Sequence, residues 1–183
     1  MDTSKNQTKH PIKQVILASM FITIGFILPY FTMSNPQLGS MLLPMHIPVI
    51  LAGLILGPKY GILVGVLTPL LRALLTPSPL LFPVAIVMAI ELPVYALTIG
   101  LIKRMLPSKF VNLYVALILA MVMGRIAYGI AGFIIYPLAG WGFTLKTFLT
   151  AAFITALPGI AIQLAIIPPL YQYLKNTQIL NDL

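Results

Sequence analysis

Residues 45–91 read MHIPVILAGLILGPKYGILVGVLTPLLRALLTPSPLLFPVAIVMAIE, and this stretch decides the fold. It contains two apolar runs joined by the sequence GPKYG at residues 57–61, and it ends in the first part of a third run. Glycine and proline break helices, and Lys59 is the only charge for many residues on either side, a combination typical of a tight turn at a membrane surface. The stretch therefore predicts two apolar helices that fold back on each other.

The composition extends this interpretation to the whole chain. Of the 183 residues, 60% are hydrophobic and only 8% are charged, and the mean hydropathy is +1.02. A membrane-spanning helix needs about 20 residues, so this length allows about six or seven spans. The apolar runs are continuous rather than alternating, which favours helices over a β-barrel. We therefore predict an all-α integral membrane protein that forms a single domain over residues 1–183.

Six apolar segments are long enough to be spans, and proline, glycine and polar residues separate them. Their predicted bounds are 12–31, 43–56, 60–75, 82–102, 111–135 and 145–174. The second segment is short and contains Pro44 and Pro48 near its start, so we expect a broken or tilted helix there. The sixth is longer than one straight span requires, and we expect Pro158, Pro168 and Pro169 to kink or tilt it.

Cationic residues are distributed unequally between the two sets of loops. Six spans place eight of them on the side of the termini and only Lys146 on the other side. The eight are Lys5, Lys9, Lys13, Lys59, Lys103, Arg104, Lys109 and Lys175. Because cytoplasmic loops are enriched in lysine and arginine, both termini are predicted to be cytoplasmic, with residues 1–10 as a short tail. The same topology explains the formal charge of +8 without nucleic acid as a partner.

The sequence carries no signal for catalysis or for a bound cofactor. The absence of cysteine excludes disulfides, thiol catalysis and thiolate metal sites. There is no HExxH sequence, no pair of carboxylates and no glycine-rich nucleotide loop. We therefore predict that the protein is not an enzyme and that it has no metal site and no cofactor.

Four ionisable side chains fall inside otherwise apolar segments and form the predicted substrate-binding site. Helix counting places His46 at the outer mouth of the second span and Arg72 about one turn from the outer end of the third. Glu91 and Arg125 each lie about 15 Å deep. An ionisable group in hydrocarbon is costly, so it usually faces a protein interior or a water-filled cavity. Charged residues at overlapping depth on different spans indicate a polar cavity open to the outside.

Each of these residues also has a structural interpretation. Arg72 could extend to the outer headgroups, as long basic side chains do near the ends of spans. Glu91 could pair with Arg72 or Arg125 and hold helices together. His46 could be an ordinary interfacial histidine.

Two tyrosines complete the predicted site. Tyr95 lies one turn after Glu91, and Tyr128 lies near Arg125, so both could offer a ligand a hydroxyl or a ring face. Gln163 is the one amide inside the last span, where a helix-to-helix hydrogen bond explains it at least as well as ligand contact.

The central sequence resembles a known family of membrane proteins. Residues 43–76, LPMHIPVILAGLILGPKYGILVGVLTPLLRALLT, and residues 80–102, LLFPVAIVMAIELPVYALTIGLI, resemble the substrate-specificity components of energy-coupling factor (ECF) vitamin transporters. The resemblance rests on P-x-H-I-P-V at residues 44–49 and A-G-x-x-x-G-P-x-x-G at residues 52–61, and it covers nearly the whole chain. More narrowly, the sequence looks like the branch associated with pantothenate or with the hydroxymethylpyrimidine precursor of thiamine.

This resemblance implies a mechanism, a location and partners. Such a component binds a small water-soluble vitamin in an outward pocket of the bacterial plasma membrane. It then docks on a membrane coupling subunit that sits on two cytoplasmic ATPase subunits, and those subunits use the ATP. In the family, small residues spaced by four on the first helix pack on the coupling subunit, and Ala18, Ser19 and Thr23 match this pattern in part.

Two questions stay open at the level of sequence. The carboxylate of pantothenate favours Arg72 or Arg125, whereas a pyrimidine or pyridoxine-like ring favours Glu91, His46 and the tyrosines. The protein is either the capture subunit of an ATP-driven importer or an autonomous carrier in which Glu91 couples transport to protons. No motif supports a third alternative, an intramembrane enzyme or accessory scaffold.

Overall fold

The computed structural model describes residues 11–32, 36–107 and 109–176, and the regular structure of these residues is helical. Eight α-helices occur in this part of the chain: α1 (Pro11–Ile27), α2 (Pro36–Leu42), α3 (His46–Leu56), α4 (Pro58–Leu75), α5 (Ile86–Met105), α6 (Phe110–Leu138), α7 (Leu145–Leu149) and α8 (Leu157–Asn176). A 3₁₀ turn, Leu28–Thr32, extends α1. A kinked turn at Leu81–Ala85, in which Phe82 has an extended backbone, precedes α5, and a π-helical turn at Thr150–Thr155 follows α7.

Six helical segments in the described ranges are long and apolar enough to cross a membrane. They are Ile12–Thr32, Gln37–Leu56, Pro58–Leu75, Leu81–Met105, Phe110–Leu138 and Leu157–Lys175. The predicted all-α membrane fold with six transmembrane helices is therefore confirmed.

The second span is discontinuous, as the prolines near its start predict. Helix α2 ends at Leu42 and α3 begins at His46, and Leu43 between them has a φ of +49°. A leucine in the left-handed region costs on the order of 1 to 3 kcal/mol, so it persists only where the surrounding structure determines it. Leu43 and its neighbours line a cavity, which is where irregular backbone is tolerated at membrane depth.

The predicted start of the sixth span is wrong. Residues 145–155 form a separate short apolar segment, made of α7 and the π-helical turn after it, and the span itself begins at Leu157. Pro158 lies in the first turn of α8, where the N–H that proline lacks would have had no helical partner. Pro168 and Pro169 do lie inside α8.

Glycines hold the central hairpin together. Gly57 has a φ of +83°, so the turn between α3 and α4 uses a conformation that other residues rarely adopt. A Cβ atom on Gly61 would lie 2.8 Å from Gly53 Cα, and one on Gly65 would lie 2.7 Å from the backbone nitrogen of Pro93. The absence of a side chain at Gly61 and Gly65 therefore allows α4 to pack closely on α3 and α5.

Helices α3 and α5 form the centre of the bundle. One buried apolar cluster joins them to α6 and α8 through residues such as Leu117 and Ile167. A second joins them to α1 and α4 through residues such as Val64 and Leu92. Because both clusters include residues of α3 and α5, these two helices link the α1 and α4 side of the bundle to the α6 and α8 side.

Four of the described cations lie at one end of the bundle. Lys103, Lys109 and Lys175 line one pocket there, and Arg104 lies against the Gly57 turn. This grouping agrees with the predicted division of charge between the loops. The orientation of that end toward the cytoplasm stays a prediction, and the predicted tail at residues 1–10 lies outside the described residues.

Candidate functional site

Glu91 contacts two basic side chains from other helices in the interior of the bundle. Arg125 on α6 donates a hydrogen bond from Nη1 to Glu91 Oε1 over 3.0 Å. His46 Nε2, at the start of α3, lies 3.4 Å from the same oxygen. Glu91 and His46 are each 2% exposed and Arg125 is 5% exposed. Arg72 and Arg125 were the two predicted partners of Glu91, and Arg125 is the one that contacts it. The ion-pair network therefore joins α3, α5 and α6.

Tyr95 and Gly124 position this network. The Tyr95 ring meets the His46 ring edge-on, with the centroids 5.1 Å apart and the planes at 87°. A Cβ atom on Gly124 would lie 2.1 Å from Tyr95 Cε2, so only glycine leaves room for the tyrosine ring. Tyr95 is 1% exposed, is not among the residues that line the cavity, and packs against His46.

A cavity of about 350 Å³ lies beside the network, within the range of about 300 to 1,000 Å³ typical of small-molecule sites. Five of the predicted site residues line it, namely His46, Arg72, Glu91, Arg125 and Tyr128. The lining residues that sequence reasoning did not include are Pro29, Thr32, Gly39, Ser40, Leu43, Pro44, Met45, Ser78, Pro79, Val84, Met88, Tyr136 and Ala151. Five of them, Gly39, Ser40, Leu43, Pro44 and Met45, belong to α2 or to the break between α2 and α3.

Arg72 lies in the same cavity wall but makes different contacts from Arg125. Its Nη1 donates to the backbone oxygen of Phe26, and its Cζ lies 4.8 Å from the centroid of the Tyr30 ring. The last carbonyl groups of a helix lack helical partners, and a cation satisfies them well. Arg72 therefore ties α4 to the end of α1. At 2% exposure it does not extend to the headgroups, and that interpretation is wrong.

The site has an excess of positive charge and of hydrogen-bond donors. Its wall contains two arginines and one carboxylate, and Glu91 is the only carboxylate among the described residues. Three buried nitrogens, Arg125 Nε, Arg125 Nη2 and His46 Nδ1, have no hydrogen-bond partner in that part of the chain. A buried donor without a partner costs about 1 to 3 kcal/mol. The arrangement therefore favours a ligand that is anionic or rich in acceptors.

An aromatic cluster covers one side of the cavity. The Tyr128 ring lies 5.9 Å from Phe143 and 6.2 Å from Phe148, and the Tyr136 ring stacks on Phe143 at 4.9 Å. Trp141 is 45% exposed and stacks on Tyr136, with the ring centroids 5.8 Å apart. Tyr136 follows Tyr128 by eight residues, close to the same helix face, and that spacing was the signal that could have identified it.

Gln163 does not contribute to the cavity. It is 1% exposed, it is not a lining residue, and its Nε2 has no hydrogen-bond partner among the described residues. The expected hydrogen bond between helices is not seen for this nitrogen. The same part of the chain contains no group of three or more His, Cys, Asp or Glu side chains that could hold a metal ion.

The predicted docking face on α1 needs a correction. Ser19 and Thr23 are exposed, and their hydroxyls donate to the backbone oxygens of Val15 and Ser19 in the same helix. Ala18 is 2% exposed and belongs to an apolar cluster within this chain. Because adjacent residues on a helix point about 100° apart, Ala18 faces inward while Ser19 faces outward. A partner on this face would contact Ser19 and Thr23 but not Ala18.

The comparison with protein families identifies the class. Residues 13–171 match the family model described as ECF transporter, substrate-specific component. The match covers most of the chain, and the chain therefore belongs to this family. No curated protein and no solved structure gave a significant match.

Family membership agrees with the fold and with the cavity. The protein is a multi-pass membrane protein and a substrate-binding component of a transporter, not an enzyme. The family implies a small-molecule substrate and coupling with ECF membrane and ATPase subunits. The resemblance drawn from the central sequence is confirmed at the level of the family.

Proposed function

We propose that this chain captures a small water-soluble vitamin or vitamin precursor from outside the bacterial plasma membrane and delivers it inward. A membrane coupling subunit and two ATPase subunits would supply the energy, so that ATP is used by the partners. The observation that carries the proposal is the buried network of Arg125, Glu91 and His46 in the wall of a cavity of about 350 Å³. The cavity lies at the end of the bundle opposite the basic cluster, and basic loops favour the cytoplasmic side, so the cavity would face outward.

A ligand with a carboxylate, such as pantothenate, fits this wall best. Arg125 uses Nη1 for Glu91, whereas Nε and Nη2, which lie along one edge of the guanidinium, have no protein partner in the described part of the chain. Two parallel N–H groups on one edge match the two oxygens of a carboxylate. Arg72 donates from Nη1 to the Phe26 carbonyl, and none of its nitrogens is among the buried atoms without a partner in the described part of the chain. Arg125 is therefore the residue that would hold the acid group.

Titration of the purified protein with four compounds tests the ligand class. Calorimetry in detergent would compare pantothenate, pantothenol, hydroxymethylpyrimidine and pyridoxine. Pantothenol has an alcohol in place of the carboxylate, so it is the matched control. Binding of pantothenate with loss of most affinity for pantothenol would support the carboxylate assignment. Binding of hydroxymethylpyrimidine or pyridoxine instead would overturn it and favour a ligand that hydrogen-bonds Glu91 and His46.

A second experiment separates the importer from the autonomous carrier. Vesicles that contain this chain alone would be compared with vesicles that also contain the coupling and ATPase subunits. Uptake that requires the partners and ATP supports the proposal. Uptake by the chain alone, driven by a proton gradient and abolished in Glu91→Gln, would contradict it.

A further inference from the structure

A second pocket lies at the basic end of the bundle, away from the network around Glu91. It has a volume of about 120 Å³ and lies between the end of α5, the start of α6 and the end of α8. Its polar lining residues are Lys103, Lys109, Asn112, Tyr171, Gln172 and Lys175. This volume is about a third of that of the cavity beside Glu91, and it suits one small polar group.

Lys103 is held in place at the wall of this pocket. Its Nζ donates to the backbone oxygen of Leu54 over 2.6 Å and lies 4.9 Å from the centroid of the Tyr171 ring. Tyr171 is 9% exposed, so its ring is a fixed part of the wall. An ammonium group has three N–H donors, and the contact with Leu54 uses one of them. The Lys103 ammonium group is therefore held in position before a ligand binds, and its other N–H groups can donate to that ligand.

The surroundings of the pocket are positive. The lining contains Lys103 and Lys109 and no carboxylate, and Glu91, the only carboxylate in the described ranges, lies at the other cavity. The pocket also includes the first turn of α6, which has no acidic side chain and no side-chain hydrogen bond from its N-cap residue Lys109. The N-terminus of a long helix carries a partial positive charge, which adds to that of the lysines.

Apolar side chains surround the pocket and extend outward from it. Met105 is 81% exposed, Val111 is 69% exposed and Phe110, itself a lining residue, is 45% exposed. These residues lie at the ends of membrane-spanning helices, where they offer a surface to hydrocarbon chains. A ligand that joins an anionic head to an acyl chain matches both parts of this surface.

We propose that this pocket binds the phosphate group of an anionic phospholipid from the leaflet at the basic end of the bundle. Basic pockets between transmembrane helices on the cytoplasmic side are sites that hold anionic head groups. Lys103 and Lys109 would contact the phosphate oxygens, and the acyl chains would lie along Met105 and Val111. A bound lipid would join the ends of α5, α6 and α8 and raise the stability of the bundle.

The test uses the delipidated full-length protein in detergent. Its thermal unfolding midpoint would be measured with added phosphatidylglycerol, phosphatidylcholine or inorganic phosphate, and native mass spectrometry would count the lipids retained. The variants are Lys103→Gln combined with Lys109→Gln, and the single charge reversal Lys109→Glu. The matched control is Lys59→Gln, because Lys59 lies above the Tyr60 ring, 6.0 Å from its centroid, and does not line the pocket.

Phosphatidylglycerol should raise the midpoint of the parent and of Lys59→Gln, and one lipid should be retained per protein. The double variant should bind phosphatidylglycerol about thirtyfold more weakly, from about 1 kcal/mol for each lysine. Lys109 is exposed, so Lys109→Glu should fold normally and lose the effect of the lipid. Equal effects of phosphatidylglycerol and phosphatidylcholine would overturn the proposal. So would an unchanged lipid effect in Lys109→Glu, or an effect of inorganic phosphate as large as that of the lipid.

Discussion

Arg125 Nη1 lies 3.0 Å from Glu91 Oε1, and this contact joins α5 to α6 inside the bundle. The same guanidinium keeps two buried N–H groups without a partner among the described residues. Arg125 is thus placed to do two things, which are to neutralise Glu91 and to bind an acceptor on a ligand. The two roles can be separated, because only the first requires that Glu91 be charged.

Replacement of Arg125 should lower the affinity for the ligand, because the N–H groups that would bind it are lost. It should also lower the stability of the protein, because Glu91 loses its partner. Removing one partner of a buried ion pair costs about 3 to 5 kcal/mol, because the remaining charge is uncompensated. A hydrogen bond to a charged group is worth about 1.5 to 3 kcal/mol, and about 1.4 kcal/mol is tenfold in affinity. In Arg125→Gln, loss of the two N–H groups that would hold the ligand should therefore weaken binding by about a hundredfold or more. Calorimetric titration with the compound that the parent binds would measure this loss, and thermal unfolding would report the change in stability.

The double variant Arg125→Gln with Glu91→Gln is the control for this prediction. It removes both charges, and replacing both partners of a pair is often nearly neutral for stability. The unfolding midpoint should therefore recover toward that of the parent while the affinity stays low. If the double variant bound the ligand as tightly as the parent, Arg125 would have a structural role only.

Arg72 should behave differently, because its hydrogen bond goes to the Phe26 backbone rather than to an acid. Hydrogen bonds to charged groups are worth about 1.5 to 3 kcal/mol, and Arg72 also lies over the Tyr30 ring. Arg72→Gln should lower the unfolding midpoint and change the dissociation constant less than Arg125→Gln does. The opposite pattern, full stability with affinity lost as in Arg125→Gln, would reverse the two assignments.

The sequence could predict the features that depend on composition along one helix. The GPKYG turn follows from glycine and proline, and the structure has Gly57 at positive φ there. The break at the start of the second span follows from Pro44 and Pro48. Helix counting also placed Glu91 and Arg125 at similar depth, and the structure has them in contact.

The features that depend on helix rotation could not be predicted. Counting residues gives depth along a helix but not the direction of a side chain around it, which is determined by packing against neighbours. Ala18 was therefore assigned to an outer face although it is buried, and the partner of Arg72 is a backbone oxygen that no residue pattern reveals. The Gly124 contact with Tyr95 is of the same kind, because it joins two helices at a single point.

Gly124→Ala tests the close contact between Gly124 and the Tyr95 ring. The added methyl group would meet the Tyr95 ring at 2.1 Å, and excess volume in a packed interior costs about 1 to 3 kcal/mol. Because Tyr95 packs on His46, we expect both a lower unfolding midpoint and a weaker affinity. Gly142→Ala is the matched control, since nothing lies within 4 Å of its added methyl group. Equal effects of the two substitutions would contradict the role of Gly124.

The orientation in the membrane can be measured directly because the sequence contains no cysteine. Leu38→Cys and Pro107→Cys introduce thiols at exposed positions of α2 and of the loop after α5. An impermeant thiol reagent added to intact cells should label position 38 and not position 107, because the basic loop is expected in the cytoplasm. Labelling of position 107 alone would invert the topology, and labelling of both would rule out six spans with the loops as assigned.

The exposed face of α1 that carries Ser19 and Thr23 should be the surface that contacts the coupling subunit. Ser19 and Thr23 are exposed there one turn apart, and small side chains allow two helices to approach closely in a membrane. Ser19→Leu should therefore weaken co-purification with the coupling subunit while leaving ligand binding by the solitary protein intact, since Ser19 does not line the cavity. Ala165→Leu, which adds similar bulk at an exposed position of α8, is the matched control and should leave assembly unchanged. Normal assembly of Ser19→Leu, or loss of its ligand binding, would show that this face has another role.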